Sequence, residues 1–564
     1  MKRSSSKFLL SILVVGFLVG SAPMSTIAGL LDISSPNQTY FNLTEPLVFS
    51  TLFGNLEIAH IDCVGLDSDG DLYLAGTTIS TDYYYDCFLL KLSGTHLVQI
   101  CYSTFGGSND DFVRDMFIDS DDRVYIIGET RSSDFPVKNA LCSSYQNKTE
   151  CYVICFDVTP TEPKIVFSTY LGGQGYEGGN SIFVDDEGAI FLTGHSSSPG
   201  FPLTHSIGNQ SYYSSVFVTK LNSTGNGVIY STKIGGNYSD YGYALAVDSQ
   251  GNAYVAGVTA SANFPTVNAY NTTSYYDSPN VADDGFVFCL NSTGNGLIFS
   301  TYIAGTDSEH FYDIALDSNN DVWVCGHTDS NDFPVVDSFQ EYNGHDSSVI
   351  FELSSNGSSL LFSSIFGGAV YDRCSSLAID ERDNVYIAGS TYSSEFPLYH
   401  AEDSLSGKYY DCFVMKIGPE KTIQYSTRIG GSSNDWGNSL ALGRNGAVFV
   451  GGDSQSDDFP LRREISEPSD DISTHNNGIA FILFDLSDED GDQYPSWWEL
   501  INGFDPLNPE VSFNELLTWY APVIPTVIAT SVLLVTLLVL LLSRHRIKSW
   551  FERKSSTLAV SQTK

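Results

Sequence analysis

The sequence predicts an all-β fold built from repeated four-stranded units, and three observations carry that expectation. A Phe-Pro pair recurs at Phe135, Phe201, Phe264, Phe333, Phe396 and Phe459, spaced 63 to 69 residues apart. The same phrases surround each pair in the same order. An apolar run ends in Asp, a Gly/Asn turn follows, and a second run ends in Gly before the loop to Phe-Pro. A third run such as "GFVFCL" then leads to a "YST" or "FST" phrase and a Gly pair. These runs are short, rich in Val, Ile, Tyr and Phe, and punctuated by Gly and Asn, which is strand and turn chemistry. No segment before residue 495 shows helical periodicity.

Four strands in about 60 residues make one propeller blade. The inner strands count to seven units, the first of which ("IDCVGLDSDGDLYLAG") lacks Phe-Pro. The seventh carries "NSLALG", "AVFVGG" and "GIAFILFDL" but no "YST" strand. That phrase stands instead before the first unit, in "LVFSTLFG". The expectation is therefore a seven-bladed β-propeller over residues 47–486, closed by an N-terminal strand, Leu47 to Thr51, that completes the last blade. Closure of this kind leaves no free edge between blades one and seven.

These units resemble the family of seven-bladed β-propeller repeats (SBBP type) of prokaryotic surface proteins, through the phrases "YST-x-x-GG", "VD-x-x-G-x-x-Y-V-x-G" and "S-x-x-FP". The resemblance covers about residues 47 to 486. It implies a fold and an exported location, and no settled activity.

The chain ends fit export. Lys2, Arg3 and Lys7 precede an apolar run, and small residues near Ala28 suit cleavage, so residues 1–28 read as a signal peptide and 29–46 as a linker. A second apolar run, Ala521 to Leu542, carries no charge and is long enough to cross a bilayer, at about 20 residues. Trp519 and Tyr520 precede it and "SRHRIKSWFERK" follows. The expectation is one transmembrane helix over 519–543, a basic cytoplasmic tail over 544–564, and the N-terminal part outside the cell membrane. The whole chain has a net charge of −40. Without leader and tail, 18 basic and 66 acidic residues remain. Such a field repels phosphate backbones, so nucleic acid is not expected as a partner.

Between propeller and membrane, residues 487–515 read as an acidic stalk. "DEDGDQYPSWWELINGFDP" resembles the Asp-rich calcium segments of thrombospondin type 3 repeats. Asp488, Asp490, Asp492 and Glu499 fall at positions 1, 3, 5 and 12 of a calcium loop, with Tyr494 at 7 and Ser496 at 9. Hard oxygens at alternate positions with a closing Glu suit Ca²⁺. Gln493 departs from the pattern where Gly makes the turn, and an acidic solvated linker is the other reading.

Four residues after the second Gly of each Gly pair comes an acid: Asp111, Glu177, Asp240, Glu309, Asp372 and Asp435. The first unit has Ala59 there. This joint between blades lies on one face near the channel, so the six acids are candidates for a cation-holding or ligand-facing ring; a cap on local backbone amides is the alternative. The Asp that ends each inner strand (Asp67, Asp119, Asp185, Asp248, Asp317, Asp380) lies on the opposite face and reads as turn chemistry. The loop between second and third strands opens on the acidic face and is rich in tyrosine, with Tyr84, Tyr212, Tyr275 and Tyr409 as candidate ligand contacts. Rings stack on apolar sugar faces and carboxylates accept from hydroxyls; wedging between blades is the structural alternative.

Catalytic patterns are absent. There is no HExxH, GxSxG or phosphate-binding glycine loop. His195 and His327 share one repeat position that five units lack, and nothing singles out a carboxylate pair. An oxidising setting permits disulfides. Cys87 with Cys101 across a hairpin, and Cys142 with Cys151 around a loop, are the candidate bridges, whereas Cys155, Cys289 and Cys325 read as buried strand thiols. Asn222 and Asn291, in equivalent "LNSTGNG" turns, are candidate glycosylation sites. The reading is a membrane-anchored surface propeller that binds glycan or a surface protein. An extracellular polysaccharide-degrading enzyme and a structural envelope protein are the alternatives.

Overall fold

The computed structural model describes residues 47–484 apart from 53–57, 81–82, 95–97, 147, 160–161, 209–212, 276–281, 341–345, 400–407, 444–446 and 461–476. The described residues form strands and contain no helix. They make seven sheets of four antiparallel strands, in chain order from the axis outward. Blade 3 adds a short fifth strand, His205–Gly208, parallel to its outer strand Val228–Gly235.

Blade 7 is the composite one. Asp435–Leu442, Ala447–Ser454 and Asn477–Phe484 supply three strands, and Leu47–Leu52 the fourth. Thr51 lies opposite Ala480 and Leu47 opposite Leu483. The N-terminal strand therefore closes the ring, as the displaced "YST" phrase predicts.

The core is not central but lies between blades. Seven apolar clusters fill the seven blade-to-blade interfaces. The one between blades 7 and 1 joins Phe449 and Ala480 to Ile61, Leu72 and Phe88. The channel wall crosses the same seam, where the amide of Val64 donates to Oγ of Ser439 at 3.1 Å.

The Phe-Pro motif locks each blade's outer edge. The six rings are buried, and most meet an aromatic of the third strand, as Phe264 does with Phe286 at 4.6 Å. The following Pro carbonyl accepts from the serine of the "YST" strand: Ser300 to Pro265 at 2.6 Å, Ser363 to Pro334 at 2.7 Å and Ser426 to Pro397 at 2.7 Å. Ser50 of the closing strand makes the same bond to Pro460. The chain beyond Phe-Pro runs beside the outer strand, as at Val267 opposite Ser300 and Val336 opposite Ser363, which covers an edge that would otherwise recruit other strands.

The expected disulfides are not formed; all ten cysteines are free. Cys87 pairs with Phe105 across the hairpin and Cys101 with Lys91. That four-residue offset is about 13 Å along a strand, whereas bridged Cα atoms lie about 4.4–6.8 Å apart. Cys142 and Cys151 are separated by the blade 2 sheet itself. Cys142 packs on the cluster shared with blade 1, and Cys151 sits in the cluster shared with blade 3. Cys155, Cys289 and Cys325 are buried in strands, as expected.

Candidate ligand site in the channel mouth

The repeated acids build the joints, and of the six only Asp372 is among the residues lining the channel cavity. Asp111, Glu177, Asp240, Glu309, Asp372 and Asp435 are all buried. Each accepts the amide of the glycine four residues earlier; Asp372 takes Gly368 at 2.7 Å and Asp435 takes Gly431 at 2.7 Å. Each also accepts hydroxyls from the end of the second strand, as Asp372 does from Thr391 and Ser393, and Asp435 from Ser454 and Ser456. A buried carboxylate so satisfied is a turn lock, not an open cation ring. Burial pushes Asp111, Asp240 and Asp435 up to about 6 and Glu309 up to about 8. On the opposite face the strand-ending acids cap their turns, as where Asp248 accepts the amides of Gln250 and Asn252 at 2.9 Å.

What opens into the channel is set by a different repeated residue, a glycine in the second strand. A Cβ on Gly76, Gly128, Gly194, Gly257, Gly326, Gly389 or Gly452 would lie 1.9 to 2.1 Å from a carbonyl oxygen of the inner strand. Only glycine admits that approach. Beside it the ladder slips by one residue in every blade, for example between Phe311 and Asp313. The skipped residue is a β-bulge, unpaired in the ladder and free to aim its side chain elsewhere. In blades 1 to 4 it is Asp62, Arg114, Asn180 and Tyr243. In blades 5 to 7 it is Tyr312, Ser375 and Asn438. All seven line one cavity of about 840 Å³ that opens on the face of the blade joints. The size lies within the range of ligand pockets, about 300–1,000 Å³.

The cavity has two unlike walls. Blades 3 to 7 supply an aromatic arc. His195 meets Tyr241 edge-on at 4.8 Å, and Tyr241 stacks on Tyr243 at 6.3 Å. Tyr243 leads to Tyr312 at 5.9 Å, Tyr312 stacks on His327 at 5.6 Å, and His327 on His310 at 5.1 Å. Tyr410 and Trp436 continue the arc at 6.1 Å. Blades 1 and 2 supply charge: Arg114 Nε lies 3.3 Å from Glu129, and Asp62 is pushed up to about 6 by burial. Burial also lowers His195 to about 4, and burial with Arg373 and His310 nearby lowers His327 to about 3, so both rings are neutral. Burial, with Asp346 nearby, raises Asp329 to about 7.

The tyrosines read from the loops divide. Tyr84, Tyr275 and Tyr409 are exposed on the same face but are not among the residues lining the cavity, and Tyr212 lies outside the described residues. Tyr410, next to Tyr409, lines it. Asn222 and Asn291 cap turns on the opposite face, their side-chain amides donating to Asn226 and Asn295 at 3.1 and 2.9 Å. The calcium set Asp488, Asp490, Asp492, Tyr494, Ser496 and Glu499, and the apolar run at 519–543, lie outside the described residues.

Sequence reasoning passed over the cavity because it looked for what the repeats share. His195 and His327 share a repeat position that five units lack, yet both line the cavity. A usable signal was present. One residue after the joint acid, blades 2 to 7 carry Phe112, Gly178, Tyr241, His310, Arg373 and Trp436 within units that otherwise agree. Positions where near-identical repeats diverge are those not needed for the fold.

Three stretches of the chain, residues 229–265, 361–397 and 424–460, match the beta-propeller repeat model SBBP, each running from the "YST" strand of one blade to Phe-Pro of the next. No curated protein matches the chain in sequence. Among solved structures it is similar to BamB from Moraxella catarrhalis, at 10% identity over 77% of this chain and 99% of that one, with a TM-score of 0.34. It is likewise similar to a protein of unknown function from Dyadobacter fermentans (10% identity, 78% and 98% covered, TM-score 0.37) and to phage phi92 endosialidase (10% identity, 78% and 68% covered, TM-score 0.37). Scores this low bear on neither ligand nor activity. With seven blades observed and three of the units matched, the chain carries SBBP beta-propeller repeats.

Proposed function

We propose that this chain is an exported, membrane-anchored binding module that holds a saccharide in the channel mouth. One observation carries the reading: a ligand-sized cavity lined by half-buried tyrosine, histidine and tryptophan rings and by the carboxyls of Asp62, Glu129, Asp329 and Asp346. Flat rings stack on the apolar faces of sugars, and carboxylates accept from their hydroxyls. The rings stand on strands of a closed scaffold, which limits the ordering cost of binding. The leader at 1–28 and the helix at 519–543 would place the propeller outside the membrane, and the acidic stalk with Ca²⁺ on its six oxygen-bearing residues would space it from the surface.

The second reading, a saccharide-cleaving enzyme, has one observation in its favour: the carboxyls of Asp329 and Asp346 line the same cavity, and burial with Asp346 nearby raises Asp329 to about 7. Retention of the full-length protein on immobilised polysaccharides, with each polysaccharide sized before and after, decides between them. Retention with unchanged length supports the binding module; shortened chains make it an enzyme; no retention removes the saccharide.

A further inference from the structure

We propose that the ligand of the channel mouth is an anionic saccharide whose acidic group is held by Arg373, an inference that rests on the saccharide reading above. Two arginines line the cavity. Arg114 is answered by Glu129 at 3.3 Å. Arg373 has no carboxylate partner among the described residues, and its guanidinium lies 3.9 Å over the ring of Tyr312. At this repeat position no other blade has arginine: the equivalents are His60, Phe112, Gly178, Tyr241, His310 and Trp436.

The surroundings are arranged for an acid. A guanidinium presents paired N–H donors that match the two oxygens of a carboxylate or sulfate. Tyr312 fixes the plane of that fork from below, and Tyr243, 5.9 Å from Tyr312, offers the next ring for the sugar face. His310 and His327 stand stacked beside it, 5.1 Å apart and within 7° of parallel. Asp329 and Asp346 line the same cavity, and burial with Asp346 nearby raises Asp329, which lessens the negative charge it turns toward an anionic group. The chain as a whole carries −40, so a general attraction for anions is absent and selection falls to the local contact.

The test uses full-length protein in mild detergent and four immobilised probes: a neutral glucan, polygalacturonate, a sulfated galactan and chitosan. The wild type is expected to hold polygalacturonate or the sulfated galactan about tenfold more tightly than the glucan, the scale of one charge-assisted hydrogen-bonded pair. The two acidic probes separate carboxylate from sulfate. Arg373→Gln is expected to erase the difference and Arg373→Lys to keep part of it, with thermal unfolding unchanged in both. Equal binding to the neutral glucan, unaltered in Arg373→Gln, overturns the acidic group while the saccharide reading stands. Preference for chitosan overturns it in favour of the Asp62 and Glu129 wall. Retention on none of the four overturns both.

Discussion

The hydroxyl of Tyr312 lies 3.0 Å from Nδ1 of His327. With the imidazole neutral, one of the two groups donates and the other accepts, and the bond holds the tyrosine ring in either tautomer. The ring is therefore oriented before any ligand arrives. Tyr312→Phe keeps the stacking surface and loses this bond, and should weaken polysaccharide retention about twofold to threefold; Tyr312→Ala loses the surface and should cost about tenfold. Binding isotherms on one retained polysaccharide check both values.

The clasp makes a second expectation. Ser50, Ser363 and Ser426 donate to the carbonyls of Pro460, Pro334 and Pro397 in three different blades. If blade 7 is held as the interior blades are, each Ser→Ala substitution should cost a similar amount, about 1 kcal/mol. Urea unfolding of the three variants measures this. A Ser50→Ala loss far below the other two would show that the closing strand contributes little.

The joint acids predict a larger effect. Asp372→Ala leaves the amide of Gly368 and the hydroxyls of Thr391 and Ser393 without an acceptor in a buried place. Unsatisfied buried donors cost about 1–3 kcal/mol each. The midpoint of urea unfolding should fall well below that of Ser50→Ala.

Stability should also rise as pH falls from 8 towards 6. Burial raises Asp111, Asp240 and Asp435 to about 6, Asp313 to about 7 and Glu309 to about 8. An acid raised in this way holds its proton more tightly folded than unfolded. Its stabilising contribution is complete below the unfolded range and is lost as pH climbs through the folded value. His195, at about 4, and His327, at about 3, act in the other direction, because below about 6.5 the unfolded chain takes protons that these buried rings refuse. The acids outnumber them, so the unfolding temperature should peak on the acidic side of neutrality. Calorimetry across pH 5 to 8 would contradict this if the temperature rose steadily with pH.

The free thiols give a fifth check. Cys87 stands opposite Phe105, not Cys101, so no peptide linked through Cys87 and Cys101, or through Cys142 and Cys151, should appear when the non-reduced protein is digested and mapped by mass spectrometry.

The fold was legible because propeller blades are written in residues that every unit needs. Phe264 must fill one blade interface, and Asp240 must hold one joint; both recur, and recurrence is what a single sequence displays. The closing strand was legible for the same reason, as one "YST" phrase in the wrong place. The site was not, because Tyr243, Tyr312 and Ser375 reach the channel through a bulge whose cause, the close approach of Gly257, Gly326 and Gly389 to the inner strand, is invisible as text. The cysteine pairings failed on register: sequence distance placed Cys87 and Cys101 on one hairpin, but not four positions out of step.

The central claim is that the ligand enters the channel and does not lie across the loop tyrosines on the same face. Retention of the full-length protein on the polysaccharide panel separates the two when Tyr312→Ala with Trp436→Ala is compared with Tyr84→Ala, Tyr275→Ala and Tyr409→Ala. Loss of retention in the first variant, with the second behaving as wild type, is the expected result. Loss confined to the loop variant would contradict the account and return the binding surface to the exposed tyrosines.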